Sequence, residues 1–306
     1  MTEQTKAKTT TAKKTTATKK TTTSPKATAT PKHAAASKTV AQKTVVAKDK
    51  DDLKKLIKAA VKKNGKNCDL NFIDVSKVTD MEILFYESEF NGDISKWDVS
   101  NVTNMRHMFW ESPFNGDISE WDVSNVTDMC EMFENSEFQG NIDKWNVSLE
   151  CNVYGLLARS VNENKLPKWK IFDISEKKVV AQTRNHLEAL IYAALVKNGN
   201  ECDLNFIDVS QITDMSSLFA CSPFNGDISR WNVSNVTDMN DMFRETPFNG
   251  DISKWDVSNV EDLSCMFSES QFNGDISKWK VSDDVSMYDM FAGSPLEKHP
   301  PKWYKE

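Results

Sequence analysis

Tryptophan falls at Trp97, Trp121, Trp145 and Trp169, always 24 residues apart, and again at Trp231, Trp255, Trp279 and Trp303. The two sets are offset by 134 residues. The same offset carries Cys68 onto Cys202, Phe72 onto Phe206, and the Leu53-Leu56-Ile57 stripe onto Leu187-Leu190-Ile191. A 24-residue unit was multiplied, and the resulting block was then duplicated. Such a period confines the chain to architectures in which like coils stack, each burying its apolar face only against its neighbours.

One unit reads Ile94-x-x-Trp97-x-Val99-x-x-Val102-x-x-Met105-x-x-Met108-Phe109-x-x-Ser112-x-Phe114 and closes on Asn115-Gly116-Asp117. Alternation at Trp97-Asp98-Val99 predicts a short strand with Trp and Val inward. From Val102 the apolar steps of three and four predict a short helix of about two turns. Phe-Asn-Gly-Asp predicts a turn, because Gly takes positive φ without penalty and Asn tolerates it. Five units start at Leu70, Ile94, Ile118, Ile142 and Leu166, and five more at Leu204, Ile228, Ile252, Ile276 and Pro300. Each block opens with a longer amphipathic stretch: Leu53, Leu56, Ile57, Ala60 and Val61 before Asn64-Gly65, then Leu187, Leu190, Ile191, Ala194 and Leu195 before Asn198-Gly199. These predict helices that lid the first coil, whose bare edge would otherwise invite aggregation.

The fold expected is therefore an α/β solenoid of right-handed, leucine-rich-repeat-like coils, each a short parallel strand plus a short helix. It comprises two blocks, 45–175 and 176–306, each opened by a capping helix. The alternative is one continuous solenoid of ten rungs, since the gap of 38 between Leu166 and Leu204 is one unit plus a short insertion. Ahead of both lies a segment, 1–44, rich in Thr, Ala and Lys and lacking aromatic residues. It buries too little apolar surface to offset chain entropy, so disorder is expected there.

Charge divides the chain more sharply than its net −7 suggests. Residues 1–50 hold twelve Lys against Glu3 and Asp49, so the acidic excess lies wholly in the repeats. Lys13, Lys14, Lys19, Lys20, Lys26 and Lys32 form an arm suited to nucleic acid or another polyanion, where neutralised phosphates release counterions. The competing readings are a solubilising spacer and an arm that folds back on the acidic body. No apolar run approaches the length of a membrane span, and no secretory h-region opens the chain, so an intracellular or virion setting is expected.

The string FNGDISKWDVSNVTNMRHMF, Phe90 to Phe109, with its copies and the Asp-Leu-Asn-Phe-Ile-Asp-Val-Ser lead-in, resembles the BspA-like leucine-rich-repeat surface proteins of mycoplasma-type lipoproteins and bacteria. The resemblance covers about residues 49–306. It implies a leucine-rich-repeat solenoid and a role in surface display, adhesion or protein–protein binding. The basic segment replaces the bacterial export signal, and similar repeats without one resemble proteins of algae and large DNA viruses. Cell-surface placement remains the alternative that the family implies.

Strand positions flanking Trp and Val should face outward on the concave side, where repeat proteins usually bind. They place Asp74, Lys96, Asp98, Asp122, Asn146, Asp208, Arg230, Asn232 and Asp256 in columns, the candidate partner-binding face. Stacked carboxylates there either attract a cation or basic peptide or are compensated by the Lys or Arg two residues before. Trp110, outside the core spacing, is either an exposed anchor or packed on the adjacent coil. The other Trp and the Met residues read as core.

No catalytic constellation emerges. The four His lack i, i+4 partners and no H-E-x-x-H occurs. Gly-x-Ser-x-Gly is absent, and eight of ten Gly sit in Asn-Gly or Gln-Gly steps rather than a phosphate loop. Six Cys without C-x-x-C suggest reduced thiols rather than zinc. Sequons at Asn101, Asn125, Asn146, Asn232 and Asn235 arise from the repeat itself. The expectation is a non-enzymatic scaffold that binds other proteins, with no cofactor and no metal, and with nucleic acid engaged only through the basic arm.

Overall fold

The computed structural model describes residues 43–163 and 165–305; the basic arm of Lys13, Lys14, Lys19, Lys20, Lys26 and Lys32 lies outside them. Residues 42–306 form one compact unit. Each block begins with the same supersecondary piece. Strand β1 (Val45–Val46) leads into helix α1 (Lys50–Asn64) and pairs in parallel with β2 (Ile73–Asp74). Further on, β3 (Val179–Val180) leads into α2 (Arg184–Asn198) and pairs in parallel with β4 (Ile207–Asp208). The caps explain the bounds. Asp49 accepts from the Asp52 N–H and Thr183 from the His186 N–H. Gly65 (φ 87°) and Gly199 (φ 81°) end the helices in backbone that costs other residues energy.

Where the sequence predicts a short helix in every unit, the structure has a stack of β-turns; α1 and α2 are the only α-helices among the described residues. Along one coil the N–H groups of Met108, Trp110 and Ser112 each donate to the carbonyl three residues back, at 3.2 Å. The N–H groups between them, on Met105, His107, Phe109 and Glu111, donate at 2.8–3.0 Å to Asp128, Cys130, Met132 and Glu134 of the next coil. An α-helix would spend these donors four residues back and leave nothing for a neighbour. The alternation puts every fourth residue in left-handed backbone, as at His107 (φ 53°) and Glu111 (φ 51°). A turn stack and a helix share apolar steps of three and four, so periodicity alone does not separate them.

The predicted strand also moves. Trp97 and Val102 donate into turns, to Ile94 and Val99, and parallel pairing falls instead on Asp80, Asn104, Asp128 and Asn152, then on Asp214, Asp238, Asp262 and Ser286, with Asp69 on Asp93 and Asp203 on Asp227 at the start of each block. The apolar spine lies inside the coils. Seven of the eight periodic Trp are about 4% exposed, and Trp303, on the last coil, is half-buried. Phe85, Phe109 and Phe133 stack at 5.5 Å, and Phe219, Phe243, Phe267 and Phe291 at 5.7–5.9 Å. Every periodic indole N–H donates to the carbonyl 27 residues earlier, from Trp97 to Leu70 (3.1 Å) through Trp303 to Ile276 (2.8 Å).

The two lid helices differ. In α1, Leu53, Ile57 and Ala60 are buried on the first coil, while Lys55, Lys58 and Lys62 sit at the positions that Ala189, Tyr192 and Val196 hold in α2. That second apolar face seats α2 on the first block: Ala189 and Ala193 join its core, and the Tyr192 ring meets Phe172 edge-on at 6.4 Å. Leu187, Leu190, Ile191 and Ala194 belong to the core of the second block. Thus α1 caps, whereas α2 caps and bridges.

Candidate functional site

The residues expected to line the strand face are engaged locally. Asp74, Asp98, Asp122, Asp208, Asn232 and Asp256 each accept the N–H of the Ser two residues on, at 2.9–3.2 Å. The Ser hydroxyl also donates to Asp98, Asp122, Asn232 and Asp256 at 2.6–2.8 Å. These are Asx turns. Serine donors hold the carboxyls of Asp74, Asp122 and Asp256 below their ordinary value. The Lys178 ammonium, 2.8 Å away, and Ser210 take that of Asp208 down to about 2. Lys96 and Arg230 donate backbone N–H groups to Asn71 (2.8 Å) and Asn205 (2.7 Å) of the preceding coil, and the Arg230 guanidinium reaches Asp203 at 3.3 Å. Asn146 is exposed at the same level. Asn101, Asn125 and Asn235 of the sequons donate their amides to Ser76, Ser100 and Ser210 carbonyls, so they hold coils together.

The chemistry that varies between coils lies on the turn stack. Between the buried Met, Leu and Phe of each coil stand two variable pairs, exposed or half-buried except at Cys130, Glu134 and Ser264, which are buried. In successive coils of the first block they read Glu82-Ile83 and Tyr86-Glu87, Arg106-His107 and Trp110-Glu111, Cys130-Glu131 and Glu134-Asn135, Tyr154-Gly155 and Ala158-Arg159. In the second block the first pair reads Ser216-Ser217, Asn240-Asp241, Ser264-Cys265 and Tyr288-Asp289. This face bears Tyr86 (39% exposed), Tyr154 (64%), Tyr288 (74%) and Ile83 (41%), the largest exposed apolar side chains apart from short valines. Trp110 is half-buried, edge-on to Tyr86 at 5.4 Å and beside the His107 ring at 4.6 Å, and its indole N–H is buried without a partner. Both sequence readings of Trp110 thus hold in part: it packs across coils and stays at the surface.

A cavity of about 400 Å³ opens on this face where the first stack stops. The N–H groups of Val153, Gly155, Leu157 and Arg159 sit where earlier coils donate onward, but α2 stands in place of a following coil. Glu131, Tyr154, Arg159, Glu188 and Tyr192 line the opening, with Ser217 to Pro223 of the second block opposite. Glu134, nearly fully buried, is held by the Arg159 guanidinium. The Tyr192 hydroxyl is buried with no partner, and burial pushes its ionisation up to about 12. On the second block's side, Arg184 of α2 donates to the Asp214 and Ser216 carbonyls at 3.3 and 2.7 Å, covering the acceptors that open that stack.

At the cavity's edge three groups meet that the sequence keeps apart. His107 Nε2 lies 2.6 Å from a Glu131 carboxylate oxygen, and with Cys130 Sγ the three atoms lie within 4.8 Å of one another. Cys130 is buried, which pushes its thiol up to about 12. No His or Cys motif announced this set, because its members come from adjacent coils. The signal was the period itself: residues 24 apart stack, so His107 must lie against Glu131. All six Cys are free thiols, and no helix among the described residues is long and apolar enough to cross a membrane.

The sequence matches, over residues 51–169 and again over 187–303, the family described as Mycoplasma protein of unknown function, DUF285. The chain belongs to this family. Its two matched stretches coincide with the two blocks defined by the 134-residue offset, so the DUF285 repeat is the coil stack described above. No curated protein and no solved structure matches the chain.

Proposed function

We propose that this DUF285 chain is a non-enzymatic solenoid scaffold, akin to the BspA-like leucine-rich-repeat proteins, that binds another protein through the variable face of its turn stack. The observation carrying this reading is that the exposed aromatics Tyr86, Tyr154 and Tyr288, with Trp110, fall on the turn-stack positions, where residue type changes from coil to coil. The opposite strip repeats the same Asx turns. Aromatic anchors dominate protein interfaces, whereas solvated turn carboxylates add little. Glu82, Glu87, Glu111 and Glu131 surround the anchors, which suits a partner segment carrying Lys or Arg. The test is affinity for a cross-linked and identified partner. Alanine at Trp110 or Tyr154 should weaken binding roughly tenfold or more, against less than about twofold for Asp98→Asn or Asp256→Asn. The reverse pattern would return the site to the aspartate columns.

The charge of residues 1–50 favours a second reading, in which the arm tethers the repeats to a polyanion. It requires binding to DNA or RNA that falls steeply with salt and is lost when those residues are removed.

A further inference from the structure

We propose that His107, Cys130 and Glu131 form a binding site for one divalent metal ion of the zinc class. The argument begins with the coil register. His107 and Glu131 are 24 residues apart, both in left-handed backbone with φ 53°, so their side chains leave adjacent coils in the same direction. The His107 N–H donates to the Cys130 carbonyl at 3.0 Å, which fixes the third residue beside them. The three ligand atoms lie within 4.8 Å of one another. A tetrahedral ion with bonds of about 2.0–2.3 Å wants its ligands about 3.3–3.8 Å apart. Small side-chain rotations therefore close the set, and the 2.6 Å His107–Glu131 approach opens slightly as the ion enters.

The donor types point the same way. One imidazole nitrogen, one thiolate and one carboxylate oxygen suit a borderline-soft ion, and an all-oxygen binder such as magnesium would be poorly served. Nor is the set a by-product of duplication. The corresponding residues of the second block are Asp241, Ser264 and Cys265, so this combination occurs at one level of one stack. Trp110 screens one side of the imidazole at 4.6 Å, and Glu131 borders the junction cavity, from which water can supply a fourth ligand. As the ion enters, Cys130 loses its S–H proton to solvent and the proton between His107 Nε2 and Glu131 moves away, to Nδ1 of the same ring if the imidazole is neutral or to solvent if it is charged, so that one sulfur–metal, one nitrogen–metal and one oxygen–metal bond form. The site neither requires nor follows from partner binding on the same face.

The test uses the full chain, with thiols reduced, and Co²⁺ as the probe. Binding of one equivalent should give a thiolate-to-cobalt charge-transfer band with tetrahedral ligand-field absorption, and Zn²⁺ should displace it. Cys130→Ser should abolish the charge-transfer band, and Cys265→Ser should leave it. His107→Ala and Glu131→Gln keep the buried thiol intact and should each weaken binding at least about tenfold, with an unchanged circular dichroism spectrum. Absence of the band overturns the proposal. So does a band that survives Cys130→Ser, or equal affinity in Glu131→Gln; either result leaves a plain His107–Glu131 pair beside an inert thiol.

Discussion

Each periodic indole fills the spine and also ties two coils together, since its N–H donates to a carbonyl 27 residues back. That carbonyl already accepts a turn N–H, as Leu204 does from Ile207 at 3.0 Å. Trp231→Phe therefore strands no acceptor; it forfeits one net hydrogen bond and some packing, an expected loss of about 1–2 kcal/mol in urea unfolding. Trp303→Phe, half-buried on the last coil, should lose less. Glycine has a sharper constraint at two places. A Cβ on Gly92 or Gly226 would stand 2.0 or 2.1 Å from the carbonyl of Cys68 or Cys202, backbone that cannot swing aside. Gly92→Ala should destabilise by about 1–3 kcal/mol, and Gly116→Ala, whose nearest backbone atom is at 3.0 Å, by less. Asp208 gives the pH dependence. Its pKa falls from 3.8 to about 2 on folding, so its contribution is complete above the unfolded value and disappears as pH drops from about 4 towards 2. Asp208→Asn should make the acid limb of stability shallower over that interval by this one share, measured by denaturant midpoint against pH, the limb that Asp74, Asp122 and Asp256 supply remaining.

Between α1 and α2 the sequence itself records which faces are covered. Lys55, Lys58 and Lys62 in one become Ala189, Tyr192 and Val196 in the other, and the exchange separates a helix with one buried face from a helix with two. Lys58→Ala should change stability by under about 0.5 kcal/mol, whereas Tyr192→Ala, which removes a ring packed on Phe172, should cost about 3 kcal/mol. Both are read from urea midpoints. The helices and the Trp spine were thus legible from spacing, caps and duplication, whereas the Phe-Asn-Gly-Asp glycines, expected to turn the chain at positive φ, lie outside the left-handed region and are required, as at Gly92 and Gly226, by a carbonyl packed against them. The third element of each coil was not legible. Met105, Met108 and Ser112 step as a helix steps, and only the destination of the intervening N–H groups, into the next coil, distinguishes the turn stack. The same omission hid the His107–Cys130–Glu131 cluster, because His107 and Glu131 become neighbours once columns rather than windows are compared. Asp74, Asp98 and Asp122 were legible as a repeated position, yet their engagement by Ser76, Ser100 and Ser124 depends on side-chain direction, which spacing does not encode.

At the scale of the whole molecule, α2 decides whether the two DUF285 stretches behave as one body. Ala189 and Ala193 lie in the core of the first block and Leu187, Leu190, Ile191 and Ala194 in that of the second, so neither core can open fully without exposing part of the helix. Thr183 and Asn185 add hydrogen bonds to Leu149 and Glu150, while Arg184 covers Asp214 and Ser216. Coupling through a shared, doubly buried helix predicts a single unfolding transition, even though each block repeats the same architecture. Tyr192→Lys should break that coupling. A lysine there replaces a half-buried ring at the cavity edge, costs about 1–3 kcal/mol, and acts on the first-block face of the helix while leaving the second-block face in place. Pulsed thiol labelling distinguishes the blocks, with buried Cys151 reporting the first and buried Cys202 the second. In the parent chain both should become reactive at one urea concentration; in Tyr192→Lys, Cys151 should react first. Coincident exposure in the variant would mean that the blocks are joined by something other than this helix.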